Sequence, residues 1–197
     1  LCVLLLDRFA DYTDTNVVAP VRESICQVLA VVANELKETD LIHLVQLIIQ
    51  HMCSRHDWDA RYTGFMAIKY LIAVRANIID SLFPSMTSII DALTDSADDV
   101  RAVVAQVIGI ILQARPVLQS NYLTQLVNTI WTVVDECDET STALTPVLEI
   151  ISQLYTSSAV ATTIPLSTIL IRLCPFLQHT EFRIRLTCIR IMQQLLG

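Results

Sequence analysis

Apolar residues recur along this chain with the period of an α-helix. Val100, Val103, Val104, Val107, Ile108 and Ile111 fall at i, i+3, i+4, i+7, i+8 and i+11. Leu41, Leu44, Val45, Ile48 and Met52 nearly repeat the pattern. Such one-sided stripes with a 3.6-residue period predict amphipathic helices. Read throughout, the pattern gives ten helices in five pairs. The first helices cover Leu1–Tyr12, Asp40–Cys53, Ser81–Leu93, Asn121–Val134 and Pro165–Leu177. The second helices cover Pro20–Leu36, Trp58–Val74, Asp99–Gln113, Ser141–Tyr155 and Glu181–Leu196. Pro20 suits a first turn, where its missing N–H is not needed. Asp57 and Asp98 suit N-caps. Pro146 falls inside a predicted second helix and should delay or kink it.

The pairs repeat. Arg22, Arg61, Arg101 and Arg185 each begin a second helix, with steps of 39, 40 and 84 residues. Halving the last step places a further repeat near Ser141. A period near 40 built from helix pairs is the mark of HEAT-type repeats. The expected fold is therefore an all-α solenoid of about five antiparallel pairs. It forms a single unit over residues 1–197, with repeats near 1–36, 40–74, 81–113, 121–155 and 165–196. One pair cannot bury its own apolar face, so stacked neighbours share one core. Both chain ends fall inside periodic apolar sequence, the expectation for a piece of a longer protein.

Composition excludes several classes. Hydrophobic residues make up 53% of the chain and charged residues 17%, the reverse of a disordered segment. Three glycines cannot supply the turns of a β-sandwich, a P-loop or a dinucleotide fingerprint. A pI near 4.9 argues against a broadly basic nucleic-acid surface. Runs such as Ile164–Ile171 fall well short of the ~18 apolar residues of a membrane span. Leu1–Leu6 lacks the flanks of a signal peptide. The six cysteines form no C-x-x-C pair and read as buried thiols in a reducing compartment. His51, Cys53 and His56 match no zinc spacing, so no metal is expected. No catalytic motif and no cofactor motif is present, and no enzyme activity is expected of these residues.

Charge is unevenly placed. The turns within the five pairs, residues 11–19, 54–59, 91–99, 135–139 and 177–181, hold 13 of the 20 acids and one base, Arg55. Turns of a solenoid line up along one edge, which should be strongly negative. Asp11, Asp14, Asp57, Asp95, Asp98, Asp99, Asp135, Glu136 and Asp138 are the candidate residues of an edge that binds a basic partner. Capping explains one or two acids per turn. It does not readily explain Asp135, Glu136, Asp138 and Glu139 together. Trp58, between two acids, is either an interface anchor or a plug between repeats. Trp131 lies in an apolar helix and is expected in the core. Arg22, Arg61, Arg101 and Arg185 are expected to pair with turn acids as a structural ladder.

Specific stretches resemble one family. Trp58-Asp59-Ala60-Arg61, then Gly64 and Ile68–Arg75, resembles the N-terminal HEAT region of the TATA-binding-protein-associated Swi/Snf-type ATPases. That family is known as Modifier of transcription in yeast and as the B-TFIID subunit in animals. Leu6-Asp7-Arg8-Phe9, Val17–Glu23, Asp98–Val103, Pro175-Phe176-Leu177 and His179-Thr180 extend the resemblance over roughly Leu1 to Arg185. The chain departs from the family pattern at Tyr62, Thr63, Ala67 and Cys174. The resemblance implies a nuclear, non-catalytic scaffold segment that grips the convex helical side of TATA-binding protein (TBP). An ATPase elsewhere in the full-length chain would then remove TBP from DNA. The alternative is a generic HEAT interaction scaffold of the transport-receptor or phosphatase-scaffold type.

Overall fold

The structure, a computed structural model, describes Leu5 and residues 20–115, 118–156 and 165–196. The described residues are helical, with no strand among them. The expected first helix, 1–12, lies outside them apart from Leu5, as do Asp11, Asp14 and Cys2. Two compact units are formed by residues 1–86 and 87–197.

In the first unit, α1 (Pro20–Ala33) packs along α3 (Trp58–Val74), and α2 (Glu38–Ile48) lies against the same helix. Leu29, Ala30 and Ala33 of α1 and Ile68, Leu71 and Ile72 of α3 are almost fully buried. Helix α2 does not end in a plain α-turn. Ile49–Cys53 forms a π-turn, which lies against α3. The close approach depends on Gly64. A Cβ there would stand 2.8 Å from Cys53 Sγ and 2.9 Å from Met52 Cβ. Gly64→Ala is therefore expected to cost about 1–3 kcal/mol by overpacking. Gly109 is the contrast, since its Cβ would meet only Gln153 at 3.6 Å. Gly109→Ala should be neutral or gain roughly 0.5–1 kcal/mol from reduced backbone entropy. Equal losses in urea melts would contradict both assignments.

Residues 79–94 are a broken first helix rather than the continuous Ser81–Leu93 that periodicity predicts. Helix α4 (Ile79–Leu82) gives way to a 3-10 turn at Phe83–Ser85. Helix α5 (Met86–Asp91) then ends in a second 3-10 turn at Ala92–Thr94. Pro84 supplies the reason for the first break, because it lacks an N–H and its ring crowds the carbonyl one turn back. Pro175 does the same after α9.

The second unit stacks its second helices in order. Helix α6 (Asp98–Ala114) packs on α8 (Leu144–Thr156), and α8 packs on α10 (Phe182–Leu196). Helices α7 (Ser120–Glu136) and α9 (Leu166–Leu173) are the first helices of the last two pairs. The core is the row predicted from periodicity. Val100, Val104, Val107, Ile108 and Ile111 of α6 are at most 1% exposed, and Val147, Leu148, Ile151 and Leu154 of α8 are buried beside them. Helix α8 starts at Leu144, not Ser141, so that Pro146 sits in its first turn, where no backbone donor is needed.

Candidate partner-binding turns

The turns of the second unit adjoin. The turn before α6 touches the turn before α8 through Asp98. That turn in turn shares a cleft with the start of α10, lined by Glu139, Thr140, Ser141, Thr142, Thr145, Glu181, Arg183 and Ile184. The acids of these turns divide into those that hold the fold together and those that do not.

Asp98 belongs to the first group. It is the first residue of α6, with Ala97 at the N-cap, so it does not cap its own helix as expected. Its carboxylate instead accepts the Thr142 N–H at 2.5 Å and the hydroxyls of Thr142 at 2.6 Å and Ser141 at 2.7 Å. Arg101 Nη2 donates to it at 2.7 Å. Asp98 thereby ties one turn to the next. Burial alone would push its carboxyl up most strongly, but the Thr142, Ser141 and Arg101 bonds together hold it below the ordinary range. A carboxyl with a lowered folded pKa favours folding above its unfolded value, and that contribution fades as pH falls through the folded value. The Asp98 contribution is therefore complete above pH ~4 and lost on further acidification. Asp98→Ala should cost about 1–3 kcal/mol at neutral pH. The loss should shrink below pH ~4, which melts at pH 7 and pH 3 will test.

Other expected site residues are also occupied. Asp95 caps the turn by accepting the Ala97 N–H at 2.9 Å. Asp138 accepts the Thr140 N–H at 2.8 Å and hydroxyl at 2.7 Å, which lowers its carboxyl. Asp135 pairs with Arg172 at 2.5 Å. The Arg172 guanidinium also lies 4.3 Å from the Trp131 ring centre, covering the buried indole. In the first unit, Asp57 stands at the N-cap of α3 but makes no capping bond there, and its carboxylate lies 3.7 Å from Arg55. Trp58 beside it is 47% exposed, too open for a plug enclosed between repeats.

Four carboxylates in the turns of the second unit have no partner among the described residues. Asp99 is half-buried, and its carboxyl is raised by burial and by neighbouring Asp98. Glu136, Glu139 and Glu181 are exposed. Glu136 ends α7, where the helix dipole disfavours an acid. Glu139 and Glu181 line the cleft between adjacent turns.

Two of the four repeat arginines face turn acids as expected, Arg22 beside Asp59 and Arg101 beside Asp98, and three of the four bond backbone carbonyls. Arg61 donates to the carbonyls of Arg55 at 2.9 Å and His56 at 2.5 Å. Arg101 donates to that of Asp95 at 3.1 Å. Arg185 donates to those of His179 and Thr180, both at 2.7 Å. Each closes the turn five or six residues behind it. Arg22 differs, being buried 3.8 Å from Asp59.

Cys174 is exposed, unlike the buried thiols expected, because it follows α9 in a 3-10 turn. Cys26 meets the expectation: burial pushes its thiol up to about 12. Phe182 is 63% exposed and occupies the same register as Trp58, three residues before a repeat arginine. That spacing was the signal that could have found it.

No family model matches the chain. Several relatives match it at the sequence level, three of them as follows. TATA-binding protein-associated factor 172 of Homo sapiens is 34% identical, covering 100% of this chain and 11% of that protein. TATA-binding protein-associated factor BTAF1 of Arabidopsis thaliana is 33% identical over 79% of this chain and 8% of its own length. TATA-binding protein-associated factor MOT1 of Saccharomyces cerevisiae is 31% identical over 78% of this chain and 9% of its own length. The chain thus spans only a small part of the curated relatives it matches. A designed armadillo repeat protein superposes with a TM-score of 0.61 at 11% identity, over 98% of this chain and 80% of its own. An engineered protein superposes with a TM-score of 0.65 at 13% identity, over 98% of this chain and 78% of its own. These likenesses establish the fold, an all-α helical-repeat solenoid of the HEAT-like class.

Proposed function

From its homology to a segment of the TATA-binding protein-associated factors, we propose that this chain is a non-catalytic, nuclear scaffold segment that binds TBP through its acidic turns. An ATPase elsewhere in the full-length protein would use that grip to remove TBP from DNA. The carrying observation is that Glu136, Glu139 and Glu181 are exposed carboxylates with no partner among the described residues. Glu136 persists at a helix end that disfavours it. Net negative charge along adjoining turns, with Arg183 as a neighbouring exposed cation, steers a partner of opposite charge and sets its orientation. Asp99 adds to that field, and Trp58, half exposed in the other unit, offers an aromatic contact. Asp57, Asp95, Asp98, Asp135 and Asp138 are engaged with neighbouring groups and would contribute field rather than direct contacts. Asp11 and Asp14 belong to the proposed edge by sequence position alone.

The test is capture of purified TBP core by the full-length protein and by a version with Glu136→Gln, Glu139→Gln and Glu181→Gln. The reading expects capture by the first and weakened capture by the second at low salt. Equal capture by both would contradict the assignment of the turns. No capture by either would contradict TBP as the partner.

A further inference from the structure

Trp131 and Asp135 lie one turn apart near the end of α7 and hold the guanidinium of Arg172 from α9. That guanidinium lies 4.3 Å from the indole ring centre, and Arg172 Nη2 donates to Asp135 at 2.5 Å. Beside this seat, between α7 and α9, is a cleft of about 390 Å³. Val127 and Trp131 give it apolar walls, and Asn128, Thr132 and Thr168 give it polar ones. The side chains of Asn128 and Thr168 have no hydrogen-bond partner among the described residues.

The field at the seat favours a cation. Asp135 and Glu136 close α7, where the last helix carbonyls point outward. Arg172 is the one cation among the described residues that line the cleft. An anion entering there would meet Asp135 and the helix end. The shape favours arginine over lysine. A planar guanidinium stacks on an indole while its edge bonds a carboxylate, which a compact ammonium cannot do at once. The resident side chain shows that the fit exists, and it is loosely held. Arg172 and Asp135 are 37% and 62% exposed, a range in which ion pairs add little and are screened by salt. Trp131 is buried, so the aromatic wall stays in place when its cover leaves.

We infer that this seat reads an arginine side chain of a protein partner, and that Arg172 is the resident which the incoming guanidinium replaces. The incoming side chain enters by the cleft, stacks on Trp131 and donates to Asp135, while Arg172 swings into solvent. The exchange keeps the indole covered and the carboxylate paired, so one guanidinium gives way to another at little cost. Self-occupancy lowers the apparent affinity by the fraction of time that the seat stands vacant. The cleft shares no lining residue with that of Glu139 and Glu181, and the inference does not depend on TBP being the partner.

The experiment uses the full-length protein and a short end-blocked peptide with one arginine and a neighbouring benzophenone side chain. After irradiation, crosslinks are mapped by mass spectrometry. The wild type should be labelled on α7 and α9. A citrulline peptide, similar in shape but uncharged, should label these helices at least about fivefold less. Arg172→Ala vacates the seat and should raise labelling by about threefold or more at sub-saturating peptide. Asp135→Asn should lower labelling to the citrulline level with unchanged melting. Absent labelling of α7 and α9 in the wild type would overturn the proposal. Equal labelling by the two peptides, or labelling that survives Asp135→Asn, would do the same. Labelling of Arg172→Ala but not of the wild type would make Arg172 a fixed structural cover and would also overturn it. Asp135→Asn retains Arg172, so it decides the matter even where Arg172→Ala bares Trp131 and loosens the unit.

Discussion

Asp59→Ala is expected to cost about 3–5 kcal/mol, the penalty for removing one member of a buried ion pair. Asp59 and Arg22 lie 3.8 Å apart, and their side chains are 7% and 2% exposed. They join α1 to α3 in the part of the first unit where Cys26, Leu29 and Ala33 are also buried. The double replacement Arg22→Met with Asp59→Leu should lose much less than either single change, because it removes both desolvation penalties. Arg55 and Asp57 make the control. They are 3.7 Å apart but 48% and 49% exposed, so Asp57→Ala should cost no more than about 1 kcal/mol. Urea melts of these variants separate the cases, and similar losses for Asp59→Ala and Asp57→Ala would refute the buried pair.

Ile108→Ala should be comparably damaging, at about 2–5 kcal/mol. Ile108 is 0% exposed in the middle of α6, the helix on which α8 is stacked. Truncation leaves a cavity that rigid helices fill only in part. Asp95→Ala removes one cap to the Ala97 N–H and should cost about 0.5–2 kcal/mol. A smaller loss at Ile108 than at Asp95 would show that the apolar stripe of α6 faces the wrong way.

The helices were legible in the sequence because apolar periodicity is a local signal that tertiary packing reinforces. Val100 to Ile111 predicted a buried stripe, and those positions are buried. Trp131 is 6% exposed, as its apolar neighbours implied. What periodicity could not show is where a helix changes its hydrogen-bond pattern. The π-turn at Ile49–Cys53 packs into the space left by Gly64, a contact between elements that local periodicity does not report. Asp98 shows the same limit in the turns. Its sequence position fits an N-cap, yet it is the first residue of α6 and its carboxylate bonds Ser141 and Thr142 of the neighbouring turn. Counting acids therefore overstated the free charge. Asp98, Asp135 and Asp138 are taken by neighbours, whereas Glu136, Glu139 and Glu181, two of them at the margins of the pattern, remain open.

Those three carboxylates separate capping from recognition, since none of them caps a helix. The direct measurement is the association rate of TBP core with the chain, at low and at physiological salt, for wild type and for the combined Glu136→Gln, Glu139→Gln, Glu181→Gln variant. The account predicts unchanged melting, a slower association at low salt and a flatter dependence of that rate on salt. Identical rates with identical salt dependence would contradict the proposal that the acidic turns bind TBP.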